Sequence, residues 1–133
     1  MKNLFFSIRP FYNFPALFLL RLTAGLSMLL LHGVPKLRNV LSGNLQFADP
    51  LGLGSETSLY LAAFAEVFCC CLLIVGLLTR LALIPLIIDM AAAFFIFHKG
   101  DEFAVKEPAM LYLGIFITLF LTGPVKFSLD RYF

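Results

Sequence analysis

Charge is scarce in this chain. Asp, Glu, Lys and Arg make up 14% of its 133 residues, against about 25% in an ordinary soluble domain. With 61% hydrophobic residues and a mean hydropathy of +0.95, the composition excludes a self-contained soluble enzyme and points to one membrane domain. A net charge of +2, with no basic cluster interleaved with aromatics, argues against nucleic-acid binding. Catalytic signatures are missing too: there is no G-x-S-x-G, no Walker loop and no H-E-x-x-H. Gly52-Leu53-Gly54 lacks the strand and third glycine of a dinucleotide fingerprint. The three cysteines are consecutive, Cys69-Cys70-Cys71, so neither a C-x-x-C redox pair nor a spaced metal-ligand set exists. They read as small packing residues in a helix, with a reactive thiol as the alternative. Alternating ten-residue segments, which would signal a barrel, are absent, as are internal repeats.

What the chain does have is four long apolar runs, at about 14–34, 59–78, 81–97 and 108–122. Open sheet edges cannot face lipid, so the expected fold is all-α, a transmembrane four-helix bundle with antiparallel up-down topology. The first run follows Lys2 and Arg9 and is long enough to span, at about 20 residues, with no small-x-small site after it. It reads as a retained helix rather than a cleaved signal, preceded by an aromatic interfacial segment over 5–14. Thr79-Arg80 reads as the turn between the second and third helices. The fourth starts at Pro108, a favoured first helical position, and is short enough to need local thinning of the bilayer. The outer loops are 35–58 and 98–107. Lys2, Arg9, Arg80, Lys126 and Arg131 share the side of the termini, against Lys36, Arg38, Lys99 and Lys106 opposite. That bias predicts both termini in the cytoplasm.

Arg21, Glu66 and Asp89 each interrupt a different apolar run. A charge at bilayer depth costs several kcal/mol unless it faces the bundle and finds a partner. At about 1.5 Å per residue the three fall within one or two turns of a common level, so Arg21 could fork to Glu66 or to Asp89. Residues three and four apart share a helix face, and the faces carrying these charges mix polar with small residues, as helix contacts in membranes do. The cluster reads as an interhelical lock, as a polar site for a ligand head group such as a quinone ring, or as a proton relay. Snorkelling remains open. One base against two acids leaves a carboxylate without an obvious cation.

His32, Lys36, His98 and Glu107 fall near the outer helix ends and form a candidate polar mouth. They read as solvated helix ends, as an admission or proton-exchange point, or, for the two histidines, as haem or metal ligands. No further ligand pattern supports a metal.

Arg21-Leu22-x-x-Gly25 followed by His32-Gly33-x-x-Lys36-Leu37 resembles the first helix of the DoxX family. Ala65-Glu66 with Gly76-Leu77-Leu78-Thr79-Arg80 is similar to its second helix and turn, and Met90 and His98 suit its third. Glu107-x-Ala109-x-Leu111-Tyr112, then Gly123-Pro124-x-Lys126-x-Ser128-Leu129-Asp130, resembles its last helix and tail. Cys69 and Cys70 replace a glycine pair usual in the family, and Val125 replaces a glycine in the tail.

The resemblance implies a four-helix protein of the bacterial-type inner membrane, a subunit or scaffold of a redox-linked complex with redox protein partners. It carries no cofactor of universal use, and binding of a quinone-like amphiphile is the expectation tied to quinone-linked oxidoreductases. Arg21, Glu66, His32, Lys36 and Glu107 match motif positions. A small-molecule or proton-coupled carrier and a purely structural partner protein are the alternatives, and a homo-oligomer is compatible with each.

Overall fold

The structure, a computed structural model, describes residues 13–47, 49, 51–124 and 128–132. Lys2, Arg9, the interfacial segment as far as Tyr12, Val125 and Lys126 lie outside the described residues. Four helices are long and apolar enough to cross a membrane: α1 (Pro15–Ser42), α2 (Ser55–Val75), α3 (Thr79–Phe97) and α4 (Phe103–Thr122). The last three have 21, 19 and 20 residues, about the length that crosses a 30 Å hydrocarbon core. A short 3₁₀ turn, Leu129–Tyr132, follows α4. There is no strand among the described residues.

Each helix packs on the next, and α4 returns to α1. Met28, Leu73, Leu83, Leu86 and Phe116 are completely buried at the centre, while Leu19, Leu31, Leu81, Phe95 and Leu121 face outward. In a bilayer those outward side chains meet lipid, which is why the helices are apolar nearly all round.

Three boundaries differ from the sequence expectation. α1 does not stop at Val34 but runs to Ser42. A π turn, Leu29–Gly33, widens the helix immediately before Pro35, and the Val34 N–H reaches back to the Leu29 carbonyl. A fresh α-helical stretch, Val34–Ser42, then begins with Pro35 in its first turn and ends at Gly43 with φ +80°, so the proline ring meets a start rather than an interior. Thr79 and Arg80 are already helical; the turn is Gly76-Leu77-Leu78, with Gly76 at φ +74° and Leu78 at φ +50°. α4 begins five positions earlier than Pro108, at Phe103. Pro108 removes one backbone donor inside the helix, but the 20-residue length spans without thinning.

The loop after α1 is held by Asp49. Its carboxylate accepts the N–H groups of Leu53 (2.9 Å) and Gly54 (3.0 Å) and the Ser58 hydroxyl (2.9 Å). Burial works to raise the Asp49 carboxyl, but these hydrogen bonds outweigh it and hold it below the usual carboxylate value. The Ser55 hydroxyl pins the Phe47 backbone at 2.7–2.9 Å.

Candidate functional site

Helix geometry decides which charges meet. Side chains lean toward the N-terminus of their own helix, so neighbours on antiparallel helices lean in opposite directions. Because α1 continues past Val34, Lys36 stands on the helix and leans down into the bundle. Glu66, on antiparallel α2, leans up toward the loops. The two meet with Lys36 Nζ 2.6 Å from Glu66 Oε2, and their side chains are 18% and 4% exposed. On α3, Asp89 hydrogen-bonds the Glu66 side chain. Two carboxyls can share a hydrogen bond only if a proton lies between them, so Lys36, Glu66 and Asp89 form one linked cluster of donors and acceptors from three helices. Asp89 Oδ2 is buried and accepts no hydrogen bond among the described residues.

The backbone brings these helices unusually close. A Cβ on Gly33 would overlap the carbonyl group of Glu66 itself, so α1 and α2 touch backbone to backbone beside the ion pair. Two further π turns occur here, Phe64–Cys69, which contains Glu66, and Ala93–Phe97, one turn beyond Asp89. Each inserts an extra residue into its turn and re-aims the side chains that follow, a device frequent at functional sites. Apolar periodicity gives no sign of a π turn, so none was legible beforehand.

Lys36, Glu66 and Asp89 face a cavity of about 500 Å³ in the loop-side half of the bundle, within the range of small-molecule sites. Its wall is mostly apolar, from all four helices and the loop carrying Phe47. The Lys36 ammonium lies 5.8 Å from the centre of the Phe47 ring. His32 and His98 also line the cavity. His32 meets the Tyr112 ring edge-on at 5.7 Å, and His98 Nδ1 lies 2.8 Å from Asp101 Oδ2. Among the described residues no three His, Cys, Asp or Glu side chains are grouped to hold a metal ion. Tyr112, unassigned in the sequence reading, is brought into the wall by α4 and hydrogen-bonds Ser27 of α1.

Two expected members lie elsewhere. Arg21 does not join Glu66 and Asp89; it leans to the opposite end, where its charge faces Asp130. It is 2% exposed, and its guanidinium lies 5.3 Å from the Phe18 ring centre. Opposed lean separates Arg21 from Glu66, which stand on antiparallel helices, whereas Asp89 on parallel α3 sits ten positions into its helix against six for Arg21, about one turn deeper. Glu107 also leaves the expected mouth, lining a separate cleft between α1 and α4 with Leu20, Thr23 and Ser27.

At the end nearest the termini, Asp130 caps α3 from a distance in sequence. Its carboxylate accepts Leu78 N–H at 2.6 Å and Thr79 N–H at 2.8 Å, and its own N–H donates to the Gly76 carbonyl at 2.9 Å. A Cβ on Gly76 would run into Ser128 and Arg21. The motif pieces around Arg21, Gly76 and Asp130 are thus one packed structural unit.

Residues 16–99, more than half of the chain, match the family model described as DoxX. The motif pieces at Glu107 and at 123–130 fall outside the matched residues. No curated protein and no solved structure matches the chain.

Proposed function

The chain belongs to the DoxX family, and from that premise we propose that it is a binding subunit or scaffold of a redox-linked membrane complex that holds a quinone-like amphiphile in the loop-side cavity. The observation that carries this reading is one apolar cavity of about 500 Å³ reached by Lys36, Glu66 and Asp89 from three different helices. A lysine and a carboxyl pair sharing one proton sum to zero charge, so the site suits an uncharged head group that needs hydrogen bonds. Lys36 offers N–H donors to one carbonyl oxygen. The Asp89–Glu66 pair offers a donor or an acceptor to the other, and the apolar wall accepts the ring. Electrons would come from a partner oxidoreductase, for which this protein supplies the bound amphiphile. The close packing of Arg21, Gly76, Ser128 and Asp130 at the other end supports binding from one side over transport through the bundle.

Titration of the purified, detergent-solubilised protein with a decyl-substituted benzoquinone tests this. Saturable binding is expected in the wild type, weakened at least tenfold in Lys36→Met and Glu66→Gln, which is about 1.4 kcal/mol or more. Absence of saturable binding, or equal affinity in both folded variants, would overturn the reading.

A further inference from the structure

The cavity wall is not closed on the side between α2 and α3. The loop-side half of α2 packs against the end of α1, and the last turns of α3 pack against α4. The two helices touch around Glu66 and part above it. Leu61 and Phe64 of α2 and Ile88 of α3 belong to the cavity wall, yet they are 50%, 49% and 56% exposed. A residue that both lines a cavity and faces outward marks its rim. Leu51, Leu53, Phe97 and Val105 mark it on the loop side in the same way, and Leu61, Phe64 and Ile88 mark it between α2 and α3.

The depth of this rim is fixed by helix geometry. Phe64 lies nine positions from the start of α2 at Ser55, and Ile88 nine positions from the end of α3 at Phe97. At 1.5 Å per residue both lie roughly 13 Å from the loop-side helix ends. In a hydrocarbon core of about 30 Å that is close to the midplane, where the neighbouring molecules are lipid chains.

We propose that the cavity opens sideways into the bilayer between α2 and α3, so that a membrane-dissolved amphiphile reaches Lys36, Glu66 and Asp89 with its hydrocarbon tail left between Phe64 and Ile88. The proposal builds on the amphiphile-binding reading above and adds the route and the tail. An apolar rim at hydrocarbon depth solvates a chain as lipid does, and Glu66 and Asp89 follow the rim residues Phe64 and Ile88 within two positions. A polar head without a tail would instead have to come through the loop side, past Phe47 and Leu53.

The chain has no tryptophan, so Met90→Trp places a single reporter in the cavity wall, where Met90 is 6% exposed. Leu119→Trp, equally buried but away from the cavity, reports the quenching that crosses packed protein. In vesicles of phosphatidylcholine brominated at mid-chain, the Met90→Trp emission should be strongly quenched and the Leu119→Trp emission much less. Adding Ile88→Phe, which fills the rim opposite Phe64, should remove most of that quenching. Equal quenching at the two positions, or quenching of Met90→Trp by aqueous acrylamide but not by bromolipid, overturns the proposal. If Met90→Trp fails to fold, Tyr112→Trp serves as the wall reporter.

The bromolipid measurement needs no quinone. Portal quenching without any quinone binding would therefore sink the quinone reading and leave the portal standing. A second arm distinguishes the source of the tail. A decyl-bearing benzoquinone binding more tightly than its tailless counterpart, with the advantage lost in Ile88→Phe, assigns the route to a quinone tail. Bromolipid quenching with no such advantage assigns it to phospholipid chains.

Discussion

Gly33 carries the tightest constraint near the candidate site, because its missing side chain lets α1 lie directly on the Glu66 carbonyl. A methyl group there cannot be accommodated by turning a side chain, since the obstacle is backbone. Gly33→Ala should destabilise the protein by about 1–3 kcal/mol, the usual cost of overpacking, read as a lower melting temperature in detergent. Gly25→Ala makes the comparison, because its Cβ would meet side chains, Ile74 closely and Leu73 at ordinary contact, and no backbone, and it should cost less. At this scale much was legible. Glu66 and Asp89 interrupt apolar runs, and their inward orientation followed from the expense of charge in lipid. Their partner was not legible. The sequence places Lys36 at the outer mouth, near the end of the first helix, and only the folded α1 turns it down to Glu66. Cys69 and Cys70 are buried within the core and Cys71 is exposed, consistent with successive helical residues facing different ways.

Among elements, the 3₁₀ turn Leu129–Tyr132 shows how a tail of four residues organises a helix start. The N-terminal N–H groups of α3 have no partners within their own helix, and Asp130 supplies them from 51–52 residues away. Burial works to raise the Asp130 carboxyl, but hydrogen bonds from Thr79 and Leu78, with the Arg21 charge, hold it below its ordinary value. A carboxylate depressed in the folded state contributes its full stability above its unfolded value, at about pH 4. That contribution is lost as pH falls through the lower folded value. Asp130→Ala should therefore cost about 1 kcal/mol near neutrality, the typical worth of a cap, and should flatten the acid loss of stability below about pH 4. Thermal unfolding across pH in one detergent checks both; equal acid slopes would refute the cap's role. The cap was invisible in sequence because capping rules look to local neighbours, and this neighbour is tertiary. The three π turns were invisible for a related reason, since they change register without changing composition.

For the whole molecule, the open question is its orientation in the bilayer, which the Lys and Arg distribution addresses. Lys36 is spent on Glu66 within the bundle, and the Lys106 ammonium lies 5.1 Å from the Phe94 ring centre rather than free in the loop. Arg38 and Lys99 are exposed basic residues on the loop side, and at the other end Arg80 donates to the Phe120 carbonyl, so a cytoplasmic position for both termini remains a proposal from the Lys and Arg count. A fluorescent protein fused at the C-terminus should glow and a C-terminal alkaline phosphatase should stay inactive, as both need for a cytoplasmic end. An active phosphatase fusion would reverse the orientation and place the cavity's loop side in the cytoplasm.

The sequence by itself determined the solvent and the class of fold. Four runs too apolar for water leave a helical bundle in a bilayer as the stable outcome, because every backbone polar group in lipid must be satisfied within its own helix. It also marked Arg21, Glu66 and Asp89 as charges that lipid would penalise unless they turn inward. Only the tertiary structure decided which charge meets which. Side chains on antiparallel α1 and α2 lean opposite ways, so Lys36 descends to Glu66, and Asp89 joins them from α3. Arg21, leaning toward the start of α1, goes to Asp130 at the far end, where it packs with the fold instead of the site.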